Sequence, residues 1–477
     1  MQSSKRVLLM IAALTLTLGL ALAMAGCGQA GGSTQASAAS ASSASQGESA
    51  GQGSNEQPAA GSDFDDPGDG YTLKQVVVLS RHNIRAPIST TGSALDKATS
   101  HTWINWTSKA SELSMRGGAL ETMMGEYMRK WLESEGLVPE NFRPKEGEVR
   151  IYANAKQRTI ATARYFSSGM LPVADVDIET HAEYDKMDPV FTPAITFSSD
   201  AYVDAACKQI GTMGGAAGMS DVASGLADSY ALIQDVVDYT ESDAYKAGEL
   251  KDLDTKDTQV TIEQGKEPAI SGSLKTACQL ADALVLQYYE SPSATDAAFG
   301  HDLTFDQWKL ISQSKDFYGD LLFTAPLVAA NVAHPLLAEI GSELDADGRV
   351  FTFLCGHDSN VASVLAALGV ESYELPGAVE TTTPIGCKLV FERWENANGE
   401  QFGRARLLYQ SVDQLRGGTM LSGAQVPMSV ELSFKGLQKN GDGMYAYGDL
   451  RARIADATAE YDRIVQEYGQ QELPAAA

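Results

Sequence analysis

Apolar residues in this chain are arranged in two ways. Val76–Leu79, which ends a strand-like segment Tyr71–Leu79, and Val350–Cys355 are apolar runs rich in β-branched and aromatic residues, the pattern of strands buried on both faces of a parallel sheet. Val149–Ala153 reads as a further short strand. Between these runs apolar residues recur at helical spacing. Ser114 is placed to cap a helix from about Met115 to Glu135 that stops at Gly136, because a serine oxygen can accept from the free N–H groups of a first turn. Gln157-Arg158-Thr159 opens a second helix that ends near Ser168-Gly169. Strand, helix, strand, helix is the order of an α/β fold.

From about His181 to Gly341 the strand-like runs become rare and helical periods dominate: Leu226–Asp238, Leu274–Glu290, Phe305–Leu322 and Pro326–Ile340. This predicts a helical domain, residues 181–341, inserted into an α/β domain of residues 70–180 and 342–477. The sheet resumes at Val350, and a helix follows from about Ser359 to Leu368. Lys388–Trp394 and Ala405–Gln410 flank the turn-rich stretch Asn396–Glu400 as a hairpin. Asp449–Tyr468 closes the chain as a surface helix.

The N-terminus has a different character. Lys5 and Arg6 precede the apolar run Val7–Met24, and Ala25-Gly26-Cys27 follows. That order reads as a secretory signal over residues 1–26, with the small residues before Cys27 suggesting lipid attachment to that cysteine. An uncleaved membrane anchor is the rival, because the run approaches spanning length. Residues 27–69 are mostly Ser, Ala, Gly and Gln, the composition of a flexible tether. Either reading places the folded part outside the cytoplasm, held at a membrane. Four cysteines remain beyond Cys27: Cys207, Cys278, Cys355 and Cys387. Cys355 and Cys387 both fall in strand-like segments, so they are either neighbours in one sheet or small buried hydrophobes.

Over 477 residues the net charge is -26, which argues against nucleic acid or an anionic lipid surface as partner. An anionic ligand would need a local cluster of positive charge. The end of the first strand supplies one, in Arg81-His82-Asn83-Ile84-Arg85-Ala86-Pro87, and strand ends are where open α/β sheets bind ligands. The other long apolar run ends in Gly356-His357-Asp358. Transfer of a phosphoryl group to water through a protein nucleophile needs a neutral imidazole, planar cations for the equatorial oxygens, and an acid for the leaving group. His82 fills the first role, Arg81 and Arg85 the second, and Asp358 the third, with His357 and Arg158 as further phosphate donors. This chemistry requires no metal or cofactor. Of six histidines, His101, His181, His301 and His334 stand in no motif and read as surface or structural. Asp188, in Met-Asp-Pro, reads as a cap. There is no Gly-x-Ser-x-Gly elbow, P-loop or His-Glu-x-x-His.

The segment Arg81–Pro87 resembles the Arg-His-Gly-x-Arg-x-Pro signature of the histidine acid phosphatases, and Gly356-His357-Asp358 resembles their second motif. The pattern is most similar to the periplasmic glucose-1-phosphatase subgroup, which also has asparagine after the histidine. Further similar stretches occur in order: Gln157–Ala163, Met187–Phe191, Glu267–Gly272, Gln287–Glu290, Gly356–Ser363, Thr383–Gly386 and Tyr409–Ser411. Together they cover Gly70 to about Arg416. The resemblance implies a doubly wound, mostly parallel α/β sheet with an α-helical cap over the cleft. It implies a phosphohistidine at His82, proton donation by a protonated Asp358 with an acidic optimum, and phosphate binding by Arg81, Arg85, Arg158 and His357. Glu267 matches an acidic residue that limits substrate choice in that subgroup. The implied substrate is a small sugar phosphate, glucose 1-phosphate first. Inositol polyphosphates are the alternative, and a non-catalytic sugar-phosphate-binding lipoprotein the third reading. Asn83 stands where the wider family has glycine, and asparagine tolerates positive φ.

Overall fold

The computed structural model describes residues 70–88, 93–214, 218–422 and 425–469. The signal segment, Cys27 and the tether lie outside them. Chain order is β1 (Tyr71–Arg81), α1 (Ala94–Lys97), α2 (Met115–Ser134), β2 (Val149–Ala153), α3 (Gln157–Met170), α4 (Asp200–Met213), α5 (Ala227–Val236) and α6 (Asp243–Lys246). Then come β3 (Gln259–Thr261), β4 (Ala269–Ser271), α7 (Ser273–Glu290), α8 (Ala294–Ala297), α9 (Phe305–Phe323) and α10 (Pro326–Asp345). The remainder is β5 (Phe351–Gly356), α11 (Asp358–Ala367), β6 (Lys388–Asn396), β7 (Gln401–Tyr409), α12 (Val412–Gly417), β8 (Met428–Glu431), β9 (Tyr445–Ala446) and α13 (Tyr447–Gly469).

The main sheet has the order β2-β5-β1-β6-β7-β8, with β9 on β7. It is mixed. β2, β5 and β1 run parallel, while β6 to β9 are joined by antiparallel pairings. β1 shows why the sheet carries helices on both faces. Val76 and Val78 point into a core with Met124, Met128 and Trp131 of α2 and Phe166 of α3. Val77 and Leu79 point the other way, into a core with Leu336, Leu337 and Ile340 of α10, Val361 and Val364 of α11, and Ile454 of α13. Alternate side chains of one strand therefore serve two cores. All four side chains are fully buried, each stabilising by about 1.5–3 kcal/mol over exposure. This is the expected α/β class. A third core, drawn from α4, α5, α7 and α9, holds the helical stretch together.

The sequence expectations hold closely at the helix starts. Ser114 accepts from the Gly117 N–H at the head of α2, and Gly136, at φ +68°, follows its end. Some elements differ. α10 runs on to Asp345 through Pro335, its buried apolar face extending to Leu344. The β3–β4 hairpin and α4 were not anticipated, since three-residue strands are too short to show a period. Asp188 does act as a local cap, accepting the backbone N–H of His181 and of Val190.

All four cysteines in the described residues are free thiols. Cys355 and Cys387 share the sheet region but lie on opposite sides of β1. Ser80 is paired with Cys355 on one flank and with Lys388 on the other. A strand stands between the two sulfurs.

Candidate active site

β1 and β5 are adjacent and parallel, with Arg81 in register with Gly356. Their ends therefore emerge side by side. The His82 N–H donates to the Gly356 carbonyl at 3.1 Å, and the rings of His82 and His357 lie 5.5 Å apart, edge to face. Asp358 is the first residue of α11, so the second motif bends at once into a helix whose free N–H groups favour negative charge. Arg158 reaches the same place from the start of α3, which follows β2 on the far side of β5. His82, Arg85, Arg158, Glu267, His357 and Asp358 all line one cleft of about 360 Å³.

Arg81 lies just behind it, 1 % exposed. It donates to the Thr383 carbonyl at 2.6 Å and lies 3.2 Å from Asp358 and 3.6 Å from Glu380. Burial works against its charge, but Asp358 and Glu380 more than offset this and raise its pKa. Arg85 pairs with Asp282 of α7 at 3.1 Å. Arg158 is brought down to about 10, by burial and then by Arg85, and so remains a cation. The Nε atoms of Arg81, Arg85 and Arg158 are buried without a hydrogen-bond partner among the described residues.

The tautomers of the two histidines follow from their neighbours. His82 Nδ1 is 2.9 Å from the Asn83 carbonyl. A carbonyl only accepts, so Nδ1 carries the proton and the lone pair sits on Nε2. Burial first, then Arg158, Arg85, His357 and Arg81, push the His82 pKa well below its ordinary value. His82 is thus a neutral imidazole with a free Nε2. His357 is lowered in the same way, by burial and then Arg158. Its Nε2 lies 2.6 Å from Asn154 Nδ2. The Asn154 Oδ1 is held by the Asp188 N–H, which turns the amide nitrogen toward the ring. His357 Nε2 is therefore the acceptor and Nδ1 the donor. Nδ1–H then lies 3.3 Å from Arg158 Nη2, two donors converging on one place, an arrangement that suits an anion.

Asp358 departs from expectation. Burial would raise its carboxyl, but Arg81, Lys315, His82 and Arg85 hold it far below the usual range. In the free site it is ionised, not protonated. Asn83 also differs: it is absent from the residues of positive φ, and its side chain is engaged instead, donating to Glu121 at 2.8 Å. Glu267 lies in the β3–β4 turn, open to solvent at the cleft mouth. Its pKa is raised by the protein around it, with Arg158 opposing.

Sequence reasoning missed Asn154, Asp282, Lys315 and Glu380. Asn154 directly follows β2, so the strand-end argument that found His82 applied to it equally. Asp282 and Lys315 sit mid-helix in α7 and α9, where nothing local distinguishes them from solvated charges.

The family model for the histidine phosphatase superfamily (branch 2) matches residues 72–209. A glucose-1-phosphatase of Providencia rettgeri is 38 % identical over 393 residues, 81 % of this chain and 92 % of that protein. One of Salmonella typhimurium is 39 % identical over 383 residues, 79 % of this chain and 90 % of that protein. Among solved structures, apo Hafnia alvei phytase superposes with a TM-score of 0.75 at 26 % identity, covering 82 % of this chain and 98 % of its own.

Proposed function

The chain belongs to the histidine phosphatase superfamily, branch 2, and from that premise we propose that its cleft hydrolyses a small sugar phosphate, glucose 1-phosphate first, through a phosphohistidine at His82. The observation that carries this reading is a neutral imidazole with Nε2 free beside three arginines. Nε2 attacks phosphorus while Arg81, Arg85, Arg158 and the His357 Nδ1–H take the equatorial oxygens. Asp358, ionised in the free site, relays to the departing sugar oxygen the proton that enters on the phosphate ester, and after the sugar leaves it takes one from the water that cleaves the P–N bond. Incubation of the enzyme with labelled glucose 1-phosphate and rapid quenching at alkaline pH, where phosphohistidine persists, tests this. Label should be recovered on His82, and its absence under turnover would refute the covalent route.

Of the helical stretch 181–341, the part before α10 serves as a cap, contributing Glu267, Asp282 and Lys315 to the cleft wall, while the second half of α10 packs on the sheet. Glu267 sets substrate choice. A carboxylate at the cleft mouth repels the outlying phosphates of an inositol polyphosphate and leaves a neutral sugar unaffected. Glu267→Ala is expected to raise kcat/KM for phytate about 5-fold, with that for glucose 1-phosphate within about 2-fold, by the scale of one exposed charge contact. Equal changes on both substrates would remove Glu267 from specificity.

We place the enzyme outside the cytoplasm, tethered through a lipid on Cys27. With Cys27→Ser, phosphatase activity should move from the detergent phase to the aqueous phase in cloud-point partitioning. Retention in the detergent phase would favour an uncleaved anchor at Val7–Met24.

A further inference from the structure

Lys388 and Glu121 form an ion pair at 3.0 Å with both side chains fully buried. Removing two charges from water usually costs about as much as their attraction returns, so stability is a weak account of this pair. Its position gives a better one. Lys388, the first residue of β6, donates to Glu121 Oε1, to Ser80 Oγ at 3.1 Å and to the Gly386 carbonyl at 2.8 Å. All three ammonium protons are thereby placed. The same Glu121 Oε1 accepts from Asn83 Nδ2 at 2.8 Å. Glu121 Oε2 has no partner among the described residues, so this carboxylate is spent on Lys388 and Asn83.

Asn83 is the residue whose carbonyl accepts the hydrogen bond from His82 Nδ1–H. Its own N–H reaches Thr162 Oγ1 at 3.3 Å, and its Oδ1 accepts the Ile84 N–H at 2.8 Å. On the other side, the Gly386 N–H donates to the His82 carbonyl at 3.2 Å. Gly386 sits at φ +68°, and a β-carbon there would come 2.5 Å from Asn83 Nδ2. The two peptide units that follow His82, His82–Asn83 and Asn83–Ile84, are thus fixed by Thr162, by the Gly386 turn and by the Asn83 side chain that the buried pair holds.

We propose that Glu121 and Lys388 are positioning residues for the nucleophile, acting through Asn83 to hold its carbonyl against His82 Nδ1 and so keep Nε2 aimed at phosphorus. This rests on the reading of His82 as nucleophile. The test compares two double variants that each remove both charges. Glu121→Leu with Lys388→Met leaves Asn83 unheld. Glu121→Gln with Lys388→Met restores an acceptor for Asn83. The first should lower kcat and the rate of phosphoenzyme formation about 100-fold, the scale of a small misplacement of a reacting group, with KM unchanged. The second should recover to within about 5-fold of wild type. Wild-type kcat in a folded Leu/Met variant, or equal losses in both, would overturn the proposal. If the Leu/Met variant does not fold, Asn83→Ala decides. It should lower kcat about 100-fold with KM unchanged, and a wild-type kcat in a folded Asn83→Ala variant would refute coupling through Asn83. Phosphoenzyme trapping on the wild type separates the two levels. With no label on His82 the mechanism fails. With label that these variants do not slow, only the positioning role fails.

Discussion

Alanine at His82 should lower kcat on glucose 1-phosphate by about 10⁶-fold, the scale measured when a covalent nucleophile is deleted. The loss should fall almost wholly on kcat. Arg81, Arg85, Arg158 and His357 remain in place in this variant, and they carry the charge that holds phosphate. Inorganic phosphate should then inhibit or protect with an affinity within about 10-fold of wild type, the worth of one hydrogen-bonding group. Steady-state assays on a variant with an unchanged circular dichroism spectrum decide the point. A variant within about 10-fold of the wild-type rate would mean that another group attacks.

Asp358→Asn should cost about 10²–10⁴-fold in kcat on a sugar phosphate, the usual yield of positioned proton transfer. The loss should shrink toward the low end on an aryl phosphate, whose leaving group needs no proton. A uniform loss on both substrates would mean that Asp358 acts only through Arg81. The pH dependence has a definite sign. His82 is held below its ordinary value by burial and by Arg158, so mild acid leaves the nucleophile unprotonated. Asp358 is held down by Arg81, 3.2 Å away, and by Lys315, so the free enzyme carries no proton on its donor. The proton must enter with the substrate, whose second ionisation lies near about 6. Above that pH the protonated ester becomes scarce, and kcat/KM should fall tenfold per pH unit. A substrate with a more acidic phosphate should move this limb down by the difference in its pKa. A limb that stays fixed would assign the proton to Asp358 itself. The depressed carboxyl also contributes stability that is present above about pH 4 and is lost as pH falls toward its folded pKa.

Much of this site was legible in the residues because its chemistry sits at strand ends. Arg81 and His82, and then His357 and Asp358, each follow an apolar run that is easy to recognise. Adjacent parallel strands bring such ends together. The start of α3, and with it Arg158, was marked by the strand before it. What stayed hidden depends on tertiary placement. The pairing of Arg85 with Asp282 of α7 and of Lys388 with Glu121 joins residues with no periodicity or spacing in common. The ionised state of Asp358 was misjudged for the same reason. A carboxyl beside a leaving group invites a proton in the abstract, but the guanidinium of Arg81 and the ammonium of Lys315 decide otherwise. Asn83 was read for its backbone tolerance, whereas its side chain proves to be the part in use.

Both hydrogen-bonded neighbours of β1, namely β5 and β6, come from beyond residue 350. During synthesis, then, the strand that carries His82 has nothing to pair with until most of the chain exists. Contacts so distant in sequence close slowly. On the export route proposed above, that delay would be useful: it would keep the chain thread-like for a translocation channel and withhold hydrolytic power from cytosolic sugar phosphates until the enzyme had left them behind.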